Sequence, residues 1–152
     1  MHMKTALLVE DNPDDEELTL RAFRQLSITN DIIVARDGVE ALDYLFGEGK
    51  YGGRDMSVMP SVVLLDLKLP MLDGFEVLSR IRSSEFTRFL PVVVLSSSSE
   101  EQDIVKSYSL GANSYIRKPV NFDKFMQAAE YLGLYWFTLN EGPPLGGKPS
   151  LG

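Results

Sequence analysis

Val62-Val63-Leu64-Leu65-Asp66-Leu67-Lys68-Leu69-Pro70 is the stretch whose reading decides the fold. A short unbroken apolar run that ends in an acid reads as a strand buried on both faces, which is the habit of parallel sheets covered by helices. The layout recurs along the chain. Leu7, Leu8 and Val9 end in Glu10 and Asp11. Val92, Val93, Val94 and Leu95 end in Ser96. Ser114, Tyr115 and Ile116 end in Arg117, Lys118 and Pro119. If these runs are parallel strands, their carboxyl ends share one edge of one sheet, the edge where open α/β sheets place ligand sites.

Between the runs the period changes from strand to helix. Asn12 suits an N-cap and Pro13 a first helical position, and Leu18, Ala22, Phe23 and Leu26 continue as a helical stripe. Ile32–Ala35 reads as a strand, and Val39, Leu42, Leu45 and Phe46 as a short helix. Gly47 to Pro60 holds four glycines and reads as a long loop. Phe75, Leu78 and Ile81 mark a third helix. Ile104, Val105 and Tyr108 mark a fourth, which Gly111 stops. A last helix starts near Asn121, and a flexible tail covers 140–152. Alternating strands and helices of this kind predict βα units on a parallel sheet.

The bulk numbers fit one soluble globular domain: 152 residues, 44% hydrophobic and 24% charged. The net charge of −7 comes with no basic stripe, which argues against nucleic acid as a partner. Without cysteine there is neither a disulfide nor a thiolate metal site. No apolar run is long enough to span a bilayer. The expected compartment is the cytoplasm.

The strand ends carry the chemistry. Glu10, Asp11 and Asp66 offer hard oxygen ligands with excess negative charge, a set suited to Mg²⁺. Lys118 offers a compact positive charge for a phosphate oxygen, and Ser96 a hydroxyl. Together these make a phosphoryl site built from positioning and electrostatics, with Asp66 placed to act as a carboxylate nucleophile. Each residue alone has an ordinary explanation as a cap, a turn residue or a solvated charge. Their joint occurrence at consecutive strand ends is what points to function.

The combination Val9-Glu10-Asp11-Asn12, Asp66 to Asp73-Gly74, Pro91 to Ser96, Gly111-Ala112 and Lys118-Pro119 resembles the receiver domain of two-component response regulators. The resemblance implies a five-stranded, doubly wound parallel α/β sheet of flavodoxin-like topology, with the receiver spanning 4–139. It implies that Asp66 accepts a phosphoryl group from a sensor histidine kinase. Asp11, Asp66 and the backbone carbonyl of Lys68 would bind Mg²⁺, with Glu10 acting through a metal-bound water. Lys118 and Ser96 would contact the phosphoryl group. Tyr115 would be a switch aromatic that follows Ser96, and Pro119 would follow a cis bond. Lys68 and Ser98 flank the site, and such positions tune the lifetime of the acyl phosphate. Gly74 reads either as meeting a backbone demand near the start of the third helix or as an ordinary turn glycine. The long loop and extended last helix are similar to stand-alone members that work with bacterial phytochrome kinases. Such a protein signals rather than acting as an enzyme in its own right.

The last helix carries one further signal. Phe122, Phe125, Met126, Ala129, Leu132 and Trp136 form a core stripe, yet Tyr131, Leu134 and Tyr135 fall largely opposite. A helix apolar on both sides is covered twice or meets a partner. A homodimer through Tyr131, Leu134 and Tyr135 is the expectation, against scattered surface aromatics or a tail folding back. With too few residues after this helix for a DNA-binding module, output is expected through self-association or a downstream phosphotransfer protein. The rival classes are a pseudo-receiver that is never phosphorylated and a flavin or nucleotide binder on the same fold. The acidic loop after the first strand would repel a phosphate and counts against the latter.

Overall fold

The computed structural model describes residues 5–25, 31–118 and 121–143. Five strands lie in one parallel sheet: β1 (Thr5–Val9), β2 (Asp31–Ala35), β3 (Val62–Leu65), β4 (Val92–Ser96) and β5 (Ser114–Arg117). The order β2-β1-β3-β4-β5 is the flavodoxin-like order, in which the winding reverses between β1 and β3. The register is continuous across that switch, with Val9 opposite both Ala35 and Leu65.

Five helices connect the strands: α1 (Pro13–Gln25), α2 (Gly38–Phe46), α3 (Gly74–Ser83), α4 (Glu101–Ser109) and α5 (Phe122–Leu134). Side-chain oxygens cap four of their starts. Asn12 Oδ1 accepts from the amides of Asp14 and Asp15, Asp37 from Glu40, Asp73 from Glu76 and Asn121 from Lys124. Each bond satisfies an amide that the first turn would otherwise leave open.

Strand alternation splits the core in two. Leu7, Val9, Val63, Leu65 and Val92 pack on one face with Leu42, Leu45, Val77, Leu78 and Ile81 of α2 and α3. Ala6, Leu8, Val62, Leu64, Val93 and Leu95 pack on the other with Ala22 and Phe23 of α1 and Phe125, Ala129, Leu132 and Trp136. Both faces of the central strands are therefore dry, as the unbroken apolar runs predict.

Three local features go beyond the sequence reading. The stretch Gly47 to Pro60 contains a short 3₁₀ turn, Gly49–Tyr51, and is organised by Arg54. The Arg54 guanidinium donates to the carbonyls of Tyr44 (2.8 Å) and Val58 (2.6 Å) and stacks 4.2 Å from the Tyr44 ring centre. In α4, Val105 and Tyr108 face solvent, while the buried residue is Ser107, whose hydroxyl bonds back to the Asp103 carbonyl. Finally, α5 runs on as a π-helical turn over Tyr135–Leu139, which seats Trp136 against the core. Leu26, counted in the α1 stripe, and Pro119, with its expected cis bond, lie outside the described residues, as does most of the expected tail.

Candidate functional site

The site lies at the carboxyl edge of the sheet, where β1 and β3 part. Ladder hydrogen bonds continue one residue beyond the strands and hold the backbone there. The Glu10 amide donates to Ala35, the Asp66 amide to Val9 and the Lys118 amide to Ser96. Rigid strand ends thus place Glu10, Asp66 and Lys118, while Asp11 follows in the turn before α1.

Carboxylate oxygens of Glu10, Asp11 and Asp66 lie within 4.8 Å of one another. Lys118 reaches into this cluster. Its Nζ donates to Glu10 Oε1 and to Asp15 Oδ2 at 2.9 Å, and stands 3.5 Å from Asp66 Oδ2. Three carboxylates therefore surround one ammonium.

The electrostatics follow from burial. The Glu10 side chain is only 1% exposed. Loss of water pushes its carboxyl up, Lys118 pulls it back, and the neighbouring Asp66 pushes it up again, to about 7. Burial works against the Lys118 ammonium too, but bonds to Glu10 and Asp15 with the charge of Asp66 outweigh it and hold Lys118 above its ordinary value.

Ser96 is buried at the end of β4, and its Oγ accepts from the Ser98 amide at 3.1 Å. Ser98 ties three elements together. Its hydroxyl donates to Asp103 Oδ2 on α4 at 2.7 Å, and its carbonyl accepts from the Tyr115 hydroxyl on β5 at 2.9 Å. Ser96 and Tyr115 are thus linked through one residue of the β4–α4 turn.

Gly74 has a definite reason to be glycine. Its amide donates to the Leu67 carbonyl at 2.8 Å. A Cβ there would lie 2.7 Å from Leu67 Cα and closer still to the Asp66 carbonyl oxygen. Only glycine lets α3 start this close to the loop that carries Asp66. In the same loop Met71 is exposed and adopts a left-handed φ of 70°, an uncommon conformation for a residue with a side chain.

The structure brings Glu10, Asp11, Asp66 and Lys118 into one cluster. Ser96 ends the neighbouring β4, Tyr115 lies within β5 opposite Val94, and Lys68 lies two residues after Asp66 with its amide 3.4 Å from Asp66 Oδ1. Tyr131, Leu134 and Tyr135 belong to a separate surface, at 73%, 52% and 50% exposure. Sequence reasoning missed Asp15 and Asp103. Asp15 sits in an acid-rich first turn, where such residues usually serve the helix dipole. Its place one turn after Asp11 is the signal that could have marked it.

This fold and site define a class. The chain belongs to the response regulator receiver domain family, whose model matches residues 6–130. It is accordingly a receiver of two-component phosphorelay signalling. Its relatives include the probable methanogenesis regulatory protein FilR2 of Methanothrix harundinacea, 46% identical over 90% of this chain and 86% of that protein. Among solved structures, the phosphorylated cyanobacterial phytochrome response regulator RcpA superposes with a TM-score of 0.86 at 38% identity, covering 94% of this chain and all (100%) of the other. The Mn²⁺-bound response regulator Rcp1 does so with a TM-score of 0.84 at 33% identity, covering 93% and 99%; Rcp1 comes from a Synechocystis species. No helix among the described residues is long and apolar enough to cross a membrane.

Proposed function

We propose that Asp66 accepts a phosphoryl group from the phosphohistidine of a sensor kinase, and that the product is read out through protein contacts. The observation that carries this is the placement of the Asp66 carboxylate on a rigid strand end, in an acidic cluster and 3.5 Å from a buried ammonium. The phosphorylated state of RcpA supports it.

The donor set fits a divalent cation. It is made of hard oxygens only, three carboxylates within 4.8 Å of one another, and a cation would relieve their mutual repulsion. Asp11, Asp66 and the Lys68 carbonyl would hold Mg²⁺, with Glu10 acting through a bound water. Bound there, the ion would neutralise charge on the carboxylates and on the transferring oxygens. The Mn²⁺ form of Rcp1 supports this assignment.

The protein's own groups do the rest. An Asp66 oxygen attacks phosphorus as the bond to the kinase imidazole breaks. The transferring group spreads its charge over its equatorial oxygens. Lys118 stands ready to donate to one of them. The Ser96 hydroxyl, whose oxygen already accepts from Ser98, has its proton free to donate to another. If Ser96 moves to make that bond, Ser98 carries the displacement to Asp103 on α4 and to Tyr115 on β5. The face formed by α4, β5 and α5 would then change its affinity for a partner.

The upstream partner is a histidine kinase of phytochrome type, a reading supported by the likeness to the phytochrome response regulator RcpA. Output goes through a homodimer at Tyr131, Leu134 and Tyr135 or through a downstream phosphotransfer protein. Incubation with acetyl phosphate and Mg²⁺, followed by intact-protein mass measurement, tests the reading. Wild type should gain one phosphoryl group and Asp66→Asn none. No gain in wild type, or an equal gain in Asp66→Asn, would leave an unphosphorylated interaction module in its place.

A further inference from the structure

The Lys118 ammonium has three protons to share. One goes to Glu10 and one to Asp15 at 2.9 Å, whereas Asp66 stands back at 3.5 Å. Strong charge-assisted bonds of this type run to about 2.9 Å, so Asp15 holds the ammonium more firmly than Asp66 does. The two competing carboxylates differ in kind. Glu10 is buried on a strand end. Asp15 comes from the first turn of α1, and its side chain is 38% exposed at the mouth of the site.

We propose that Asp15 is a positioning residue of the phosphoacceptor site: its carboxylate draws Lys118 away from Asp66 and slows the arrival of phosphoryl groups from anionic donors. This rests on the reading that Asp66 is the acceptor. A donor phosphate approaches from solvent, so it meets the Asp15 charge at the mouth and a Lys118 whose charge is already partly spent. Asp15 thereby keeps the unphosphorylated state from filling with small phosphodonors.

The ordinary role of Asp15 as a first-turn acid is separable. Asp14 and Glu16 occupy the same turn, and Asp14 is exposed. Asp14→Asn therefore removes the same charge from the same helix end and serves as the control. The Asp15 amide and carbonyl are bonded to Asn12 and Thr19 and are untouched by a side-chain change.

The test is the initial rate of phosphorylation with Mg²⁺ and two donors, acetyl phosphate and phosphoramidate, the latter carrying less net negative charge. Asp15→Asn should speed the reaction with acetyl phosphate about three- to tenfold, the scale of one charge acting on a dianion across several ångströms of wet surface. The gain should be smaller with phosphoramidate and should shrink as salt rises. Asp15→Glu should restore the wild-type rate, and Asp14→Asn should fall well short of Asp15→Asn. Should Asp15→Asn fold poorly, Asp15→Ser removes the same charge. An unchanged rate, or a gain indifferent to donor charge and salt, overturns the proposal. Labelling of Asp66→Asn at the wild-type rate instead overturns the acceptor assignment, and this inference with it.

Discussion

Glu10 is enclosed at the end of β1 with its carboxyl pushed up to about 7, first by burial and then, against the pull of Lys118, by Asp66. Its ordinary value is 4.5, so the folded state holds the proton more tightly than the unfolded chain does. The resulting contribution to stability is fully present below pH 4.5 and is lost as pH rises through 7. The full shift corresponds to about 3 kcal/mol, or roughly 6–12 °C in melting temperature for a chain of this size. Without metal, wild type should therefore lose stability between pH 5 and 8 relative to Glu10→Gln, as thermal unfolding would show. Mg²⁺ should stabilise wild type more at pH 8 than at pH 5.5, because it favours the ionised carboxylates. A chelator should abolish that difference. A metal effect that is flat across this range would contradict the electrostatic account. Gly74 makes a second prediction at this scale. Gly74→Ala must push α3 away from the Asp66 loop, at a cost of about 2–3 kcal/mol in urea unfolding. It should slow phosphorylation as well, because the atoms displaced belong to the acceptor's own backbone.

The elements show where the sequence could be read and where it could not. The three central strands were legible because each is a dry apolar run, and burial on both faces leaves few alternatives. Helix starts were legible at Asn12, Pro13 and Asn121 because capping is a local hydrogen bond between near neighbours. The inward face of α4 was not. Val105 and Tyr108 look like core residues, yet both are exposed, and the buried position belongs to Ser107, which satisfies its hydroxyl within the helix. Nor was the order in the Gly47–Pro60 stretch, because it depends on Arg54 reaching two carbonyls and a ring that are adjacent only after folding. Arg54→Ala should cost about 1–3 kcal/mol through those lost bonds while leaving phosphorylation of Asp66 at its wild-type rate. Circular-dichroism melting with a phosphorylation assay would check both halves. In the site itself, Glu10, Asp11, Asp66 and Lys118 could be found because each lies within two residues of a strand's carboxyl end. Asp15 could not, since a helix-borne carboxylate reveals its partner only in three dimensions.

At the scale of the whole molecule, the proposed acceptor site and the proposed output surface occupy different places. The acidic cluster lies at the carboxyl edge of the sheet, and the exposed Tyr131, Leu134 and Tyr135 lie on α5 and the π turn that follows it. The Ser96–Ser98 bond, with the links from Ser98 to Asp103 and Tyr115, is the physical connection running from the site toward α4 and β5. Sedimentation of wild type should show a dimer that Leu134→Asp and Tyr135→Asp disrupt. A wild type that stays monomeric at high concentration, phosphorylated or not, refutes the dimer without touching the acceptor site. The central claim is that Asp66 receives the phosphoryl group of a kinase histidine with the help of a divalent cation. Mixing the protein with an autophosphorylated, radiolabelled phytochrome-type histidine kinase tests it most directly. In Mg²⁺ the label should leave the kinase and appear on wild type but not on Asp66→Asn, and a chelator should stop the transfer. Label on Asp66→Asn, or transfer indifferent to the chelator, would contradict the account.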